Sequence, residues 1–164
     1  MERLQPSCGD GVKTRELPVQ GVSPAGENPV LAAHLCVFDP HGNMLIQQRR
    51  PRHDGAELWD FSAGGCIASD SAGLPFLRRE VSSRLGLKAP SGIRFDISVR
   101  RPHMLDDYYI MKLDAEAGEI RARSPEILQV RWASLEEVKE LLDAGEFIPY
   151  EGALIEHLFR VGTV

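Results

Sequence analysis

From Gly64 to Leu87 the chain reads GGCIASDSAGLPFLRREVSSRLGL: a glycine pair, an amphipathic run carrying Arg79-Glu80, and a closing Leu85-Gly86-Leu87. Leu74, Leu77, Val81 and Leu85 step by three, four and four, so in a helix they form one apolar stripe that faces a core. The segments on either side supply that core as strands. VLAAHLCVF, from Val30, is nearly all apolar and predicts a buried strand; DPHGN then offers turn chemistry, and MLIQQRR resumes extended structure. PRHDGAE reads as a polar loop and LWDFSAGG as a short apolar segment ending in glycines.

Beyond the helix, IRFDISVR and DYYIMKLDAE are strand candidates joined by RPHMLD, and ILQVRWAS is another, with Trp132 near its end. SLEEVKELLDAGEF carries a capping box, Ser134 with Glu137 three residues on, and Gly145 as its C-terminal stop. GALIEHLFRV predicts a last helix. Strands, helix, strands, helix, helix is the order of an α/β protein with a mixed sheet flanked by helices on both faces. Residues 1–29, rich in Gly, Pro and Ser, show no sustained period and read as an N-terminal arm with one short strand around Glu16 to Val19. A chain of 164 residues leaves room for one well-buried domain, residues 30–164.

Charge narrows the partners. With 19 Lys plus Arg against 24 Asp plus Glu, the net charge is −5, and no lysine-rich run invites nucleic acid or an anionic membrane. Cys8, Cys36 and Cys66 are an odd, scattered set without a CxxC pair, which points away from a disulfide framework or zinc knuckle and toward the reducing cytoplasm. No window is long and apolar enough for a bilayer span, and the N-terminus has no basic flank leading into an apolar core.

The opening stretch resembles the signature of the Nudix hydrolases, G-x5-E-x7-R-E-U-x-E-E-x-G-U, where U is a bulky aliphatic residue. Gly65 falls on the first glycine, Arg79-Glu80-Val81 on R-E-U, and Leu85-Gly86-Leu87 on the ending. LIQQRR before it, LWDFSAGG leading into it, and WASLEEV with GEFIPY after it resemble the Nudix subgroup related to isopentenyl-diphosphate isomerases. The resemblance spans roughly residues 30–160 and implies an α/β/α sandwich, a Mg2+ or Mn2+ cofactor, and a small-molecule diphosphate as substrate.

The box is degenerate. Ser71 stands at the first glutamate of the signature, and Ser83 and Arg84 stand at the adjacent glutamate pair, leaving Glu80 as the surviving ligand or base. Positions 80, 83 and 84 share a helix face, whose charge falls from about −3 in the signature to about 0 here. A Mg2+ site draws its affinity from carboxylates, so the expected centre is weakened or absent unless Asp60, Asp70 or Glu126 rebuilds it. By resemblance, Glu126 is the loop glutamate that can add a ligand, giving Glu80 and Glu126 as the metal candidates.

Two readings of Arg84 stay open: an i, i+4 salt bridge with Glu80, or a guanidinium that holds phosphate where the metal would be. Arg49, Arg50, Arg79 and Arg84 are the substrate-binding candidates, with Arg49 and Arg50 at the strand end that reaches phosphate in the family. Arg52, His53, Arg100, Arg101 and His103 are weighed as solvated loop charges, and Asp106 and Asp107 as loop solvators.

Cys66 reads as a buried small hydrophobe, since the isomerases' cysteine and histidine would fall on Gly64 and Cys66. His34, Cys36, Trp59, Phe61 and Trp132 are expected in the core. The functional expectation is therefore a weakened pyrophosphohydrolase acting on a nucleoside diphosphate derivative. A silent fold that binds a phosphorylated ligand or protein partner is the alternative, and an isomerase is disfavoured. The arm offers a surface for a symmetric homodimer.

Overall fold

The computed structural model describes residues 30–50, 57–67, 72–87, 92–114 and 120–164. The arm at 1–29, with Cys8, and also Arg52, His53, Asp70 and Ser71, lie outside the described residues. Seven strands among the described residues form one sheet: β1 Val30–Phe38, β2 Met44–Arg49, β3 Trp59–Asp60, β4 Ala63–Ile67, β5 Arg94–Arg101, β6 Met104–Lys112 and β7 Ile127–Ala133. The main order is β3-β2-β1-β6-β5, with β4 paired to β1 and β7 to β2. β1 and β6 are parallel along their full lengths, whereas the other named pairs are antiparallel. Such a mixed sheet needs cover on both faces.

Helix α1, Gly73–Leu85, covers one face; α2, Leu135–Asp143, and α3, Gly152–Gly162, cover the other. Alternation along β1 assigns the faces: Ala33, Leu35 and Val37 pack with Leu77, Val81 and Leu85 of α1, while Cys36 and Phe38 pack with Val138, Ile155, Leu158 and Phe159. The expected stripe is the buried one, each of its fully buried side chains contributing on the order of 1.5–3 kcal/mol. Helix α1 ends in a Schellman arrangement: Gly86 adopts φ 76°, its N–H donates to Ser82 O, and Leu87 N–H donates to Val81 O. The capping box of α2 is formed on both sides, with Ser134 Oγ accepting from Glu137 N–H at 3.2 Å and Glu137 Oε1 accepting from Ser134 N–H at 3.0 Å.

Two expectations change. LWDFSAGG resolves into two short strands, β3 and β4, because Asp60, Phe61 and Ser62 turn the chain from the edge of β2 to pair with β1. The later strand begins at Met104, so that Pro102 and His103 alone connect it to β5. Asp106 and Asp107 consequently lie in a strand rather than solvating a loop, and Asp106 is fully buried. The apolar Met104 and Leu105 extend the pleat backwards, and parity then puts Asp106 on the inward side with Met104, Tyr108 and Ile110.

Candidate functional site

The geometry gathers around Arg84. Glu80 and Arg84 stand one helical turn apart on α1, and Arg84 Nε lies 2.7 Å from Glu80 Oε1. Arg84 Nη1 lies 2.8 Å from Oε1 of Glu126, in the turn that precedes β7. The guanidinium thus bridges two carboxylates that are far apart in sequence. Backbone bonds hold the turn against the helix: Arg123 N–H donates to Arg84 O at 2.8 Å, and Arg50 N–H donates to Glu126 O at 2.8 Å. Gly86 is needed there for its positive φ, and it lies against the Arg123 side chain. Gly65, which opens the box, lies where a Cβ would sit 3.2 Å from the Phe76 ring, letting α1 approach β4 closely.

Of the arginines singled out from sequence, Arg84 is the one whose side chain is seen on both Glu80 and Glu126. Arg50 Nε donates to Pro125 O at 2.5 Å, so that its side chain braces the Glu126 turn. Arg49 Nη1 is 3.6 Å from Asp60 Oδ2, and Asp60 Oδ1 also accepts from Tyr150 O–H at 2.6 Å and Phe61 N–H at 2.7 Å. Asp60 is thereby drawn away from the box. Arg79 and Ser83 are exposed.

One positive charge faces two negative ones in this cluster. Burial pushes the Glu80 carboxyl above the usual range; Arg84 pulls it back, and Glu126 adds to the push. A divalent ion does not fit the side chains as they stand, because both converging carboxylates are already engaged with a guanidinium. Among the described residues no three His, Cys, Asp or Glu side chains cluster to hold an ion.

A second polar cluster lies on the opposite sheet face and was missed from sequence. Asp106 Oδ1 lies 2.9 Å from His34 Nε2, and Arg101 Nε donates to Asp106 Oδ2 at 2.8 Å. Burial alone would raise the Asp106 carboxyl, but the bonds and charges of His34 and Arg101 outweigh it and hold the group below the ordinary range. The His34 ring stacks on Tyr108 with centroids 4.7 Å apart, and Tyr150 stacks on Phe61 at 4.1 Å. Tyr108 and Tyr150 hydroxyls are both pushed up, chiefly by burial. The available signal was parity: Asp106 is two residues from Tyr108 and four from Ile110.

His34, Cys36, Trp59 and Phe61 are in the core as expected, and Trp132 is partly buried against the α1 side. Cys66 is only half-buried, beside Val30, Ala32 and Met104, and it is disulfide-bonded, whereas Cys36 is free and buried; this corrects the expectation of a buried small hydrophobe in a chain without disulfides. Gly64 sits opposite His34, and a Cβ there would lie 2.7 Å from Ala33 O. That contact leaves no room for a side chain at the isomerase cysteine position.

The NUDIX domain family model matches residues 28–151. An uncharacterized Nudix hydrolase from Listeria innocua is 31% identical over 139 residues, covering 84% of this chain and 82% of the relative. The fold is similar to the NUDIX domain of Shewanella oneidensis NrtR complexed with ADP ribose, with TM-score 0.62, 17% identity, and coverage of 90% of this chain and 96% of that one. It is also similar to a Francisella tularensis bifunctional NMN adenylyltransferase/ADP ribose pyrophosphatase complexed with AMP and a Mn ion, with TM-score 0.67, 17% identity, and coverage of 92% and 46%. No helix among the described residues is long and apolar enough to cross a membrane. With a domain match across most of its length and a relative above 30% identity, this chain belongs to the Nudix hydrolase family.

Proposed function

We propose that this protein binds a nucleoside diphosphate linked to a second group and hydrolyses it weakly, with water attacking one phosphorus as the bridging P–O bond to the other phosphate breaks, and Glu80 as the surviving ligand or base of the box. The observation that carries the reading is the Arg84 guanidinium between Glu80 and Glu126 on a Nudix domain. The scaffold supports a diphosphate ligand, and two neighbours of this fold were solved with ADP ribose and with AMP. The charge at 84 supports weak turnover, because a fixed guanidinium neutralises charge but does not generate the metal-bound hydroxide that family members use. A cytoplasmic protein, a homodimer through the arm, and kinship with the isomerase-like subgroup belong to the same proposal.

A silent binder of a phosphorylated ligand or protein partner is the second reading, favoured by the same bridge, since both converging acids are spent on Arg84. The experiment that separates the two is release of phosphomonoester products, read as phosphate after a coupling phosphatase, from a panel of nucleotide sugars and dinucleotides titrated with Mg2+ and Mn2+. Slow turnover of one diphosphate class is the expected result. Complete inertness together with nucleotide binding selects the silent fold, and rates typical of intact Nudix enzymes overturn the weakened centre.

A further inference from the structure

We infer that residues 8–29 form a strap across one end of the sheet, latched to β4 by a Cys8–Cys66 disulfide and released by reduction. Ala32 of β1 pairs with Cys66 of β4, and Val30 with Met104 of β6, so these four side chains share the sheet face that α2 and α3 cover further along. They form a cluster of their own, with no α2 or α3 side chain in it. Val30, Ala32 and Met104 are nevertheless 3%, 1% and 5% exposed, and Asp106, paired with Ala32, is fully buried. Apolar groups at the end of a sheet stay that dry only under a cover, and among the described residues Cys66 is the one further apolar side chain packed against them.

Sulfur chemistry and chain connectivity assign that cover to the arm. Cys66 is disulfide-bonded and Cys36 is free, so of the three cysteines in the chain Cys8 is left as the partner. The chain enters β1 at this same patch, where Val30 N–H donates to His103 O at 3.0 Å, next to Met104. About 20 residues separate Cys8 from Val30, and at roughly 3.3 Å each when extended they cross the patch and return to Cys66. Closing the bridge turns two thiols into one disulfide, while a small disulfide such as oxidised glutathione takes up the two electrons and two protons and leaves as two thiols; a dithiol reverses the step. In a reducing compartment such a bond is a switch rather than a staple. Release bares the face beside Gly64 and Gly65, at the start of the box, and frees the arm for the homodimer proposed above. The strap does not rest on the hydrolase reading.

The test takes the full chain equilibrated with oxidised glutathione, unfolds it in guanidinium with N-ethylmaleimide, and maps its peptides by mass without reduction. The peptides carrying Cys8 and Cys66 are expected joined, with Cys36 alkylated. Limited trypsin treatment of the folded protein then reads the strap: cleavage after Lys13 and Arg15 should be about tenfold or more slower in the oxidised wild type than after dithiothreitol or in Cys8→Ser. Fluorescence of an apolar dye should rise when the wild type is reduced and ignore dithiothreitol in Cys8→Ser. That substitution lies outside the domain at 30–164, so it removes the latch without touching the sheet; Cys66→Ser, on β4, is expected to match it. Alkylation of both Cys8 and Cys66 in the oxidised protein, a covalent dimer joined through them on a non-reducing gel, or equal cleavage of wild type and Cys8→Ser would each overturn the inference. Because no nucleotide is used, inertness toward every diphosphate would sink the hydrolase reading and leave this one standing.

Discussion

Two charged triads sit on opposite faces of the same sheet with nearly the same bond lengths. In one, a single cation, Arg84, lies between two carboxylates; in the other, a single carboxylate, Asp106, lies between two bases, His34 and Arg101. Their surroundings differ. The side chains of Arg84 and Glu126 are 29% and 39% exposed, whereas those of Asp106 and His34 are 0% and 3% exposed. Water screens the first triad, so it is worth little to stability and is available to a ligand. In the second, the Asp106–His34 pair is dry while Arg101, 36% exposed, reaches it from the surface, so that loss of both bases would strand the Asp106 charge in the core. Similar geometry thus leaves one cluster open to water and buries the acid of the other.

The comparison breaks most readily at Asp106. Asp106→Ala should lower unfolding stability by about 1–3 kcal/mol in a urea titration, because the buried His34 loses its acceptor while Arg101 can turn to water. A loss below about 1 kcal/mol would show that the pair is wet. Next comes acid: the Asp106 carboxyl is held below its unfolded value of about 3.9, so its stabilisation is present above that pH and lost as pH falls through the folded value. Asp106→Asn should flatten that acid limb, and an unchanged limb would assign it to other carboxylates.

On the other face the expected stability effects are smaller. Arg84→Gln should change unfolding stability by no more than about 1 kcal/mol, as measured by the same titration. Ser83→Glu with Arg84→Glu should strengthen Mg2+ binding and raise pyrophosphohydrolase activity; a double variant as inert as the parent would show that the lost acids do not limit turnover. The smallest effect is the opposite pH slope of Glu80. Its carboxyl is raised, so its contribution is present below the unfolded value of about 4.3 and fades as pH rises through the folded one. Comparing pH–stability curves of wild type and Glu80→Gln isolates that slope, and a curve unchanged in the variant would remove it.

The sequence by itself determined what depends on near neighbours in the chain. The α1 stripe at 74, 77, 81 and 85, the capping box at Ser134 and Glu137 and the Glu80–Arg84 pair are all set by helical periods, and each is seen. The tertiary structure alone decided what spans distant segments. It brought Glu126 to Arg84, sent Arg49 to Asp60 and Arg50 to Pro125, and buried Asp106 with His34. Strand register governs those meetings: β1 and β6 pair in parallel, and one residue of slip would turn Asp106 outward. Register is a property of two strands together, and no single segment carries it.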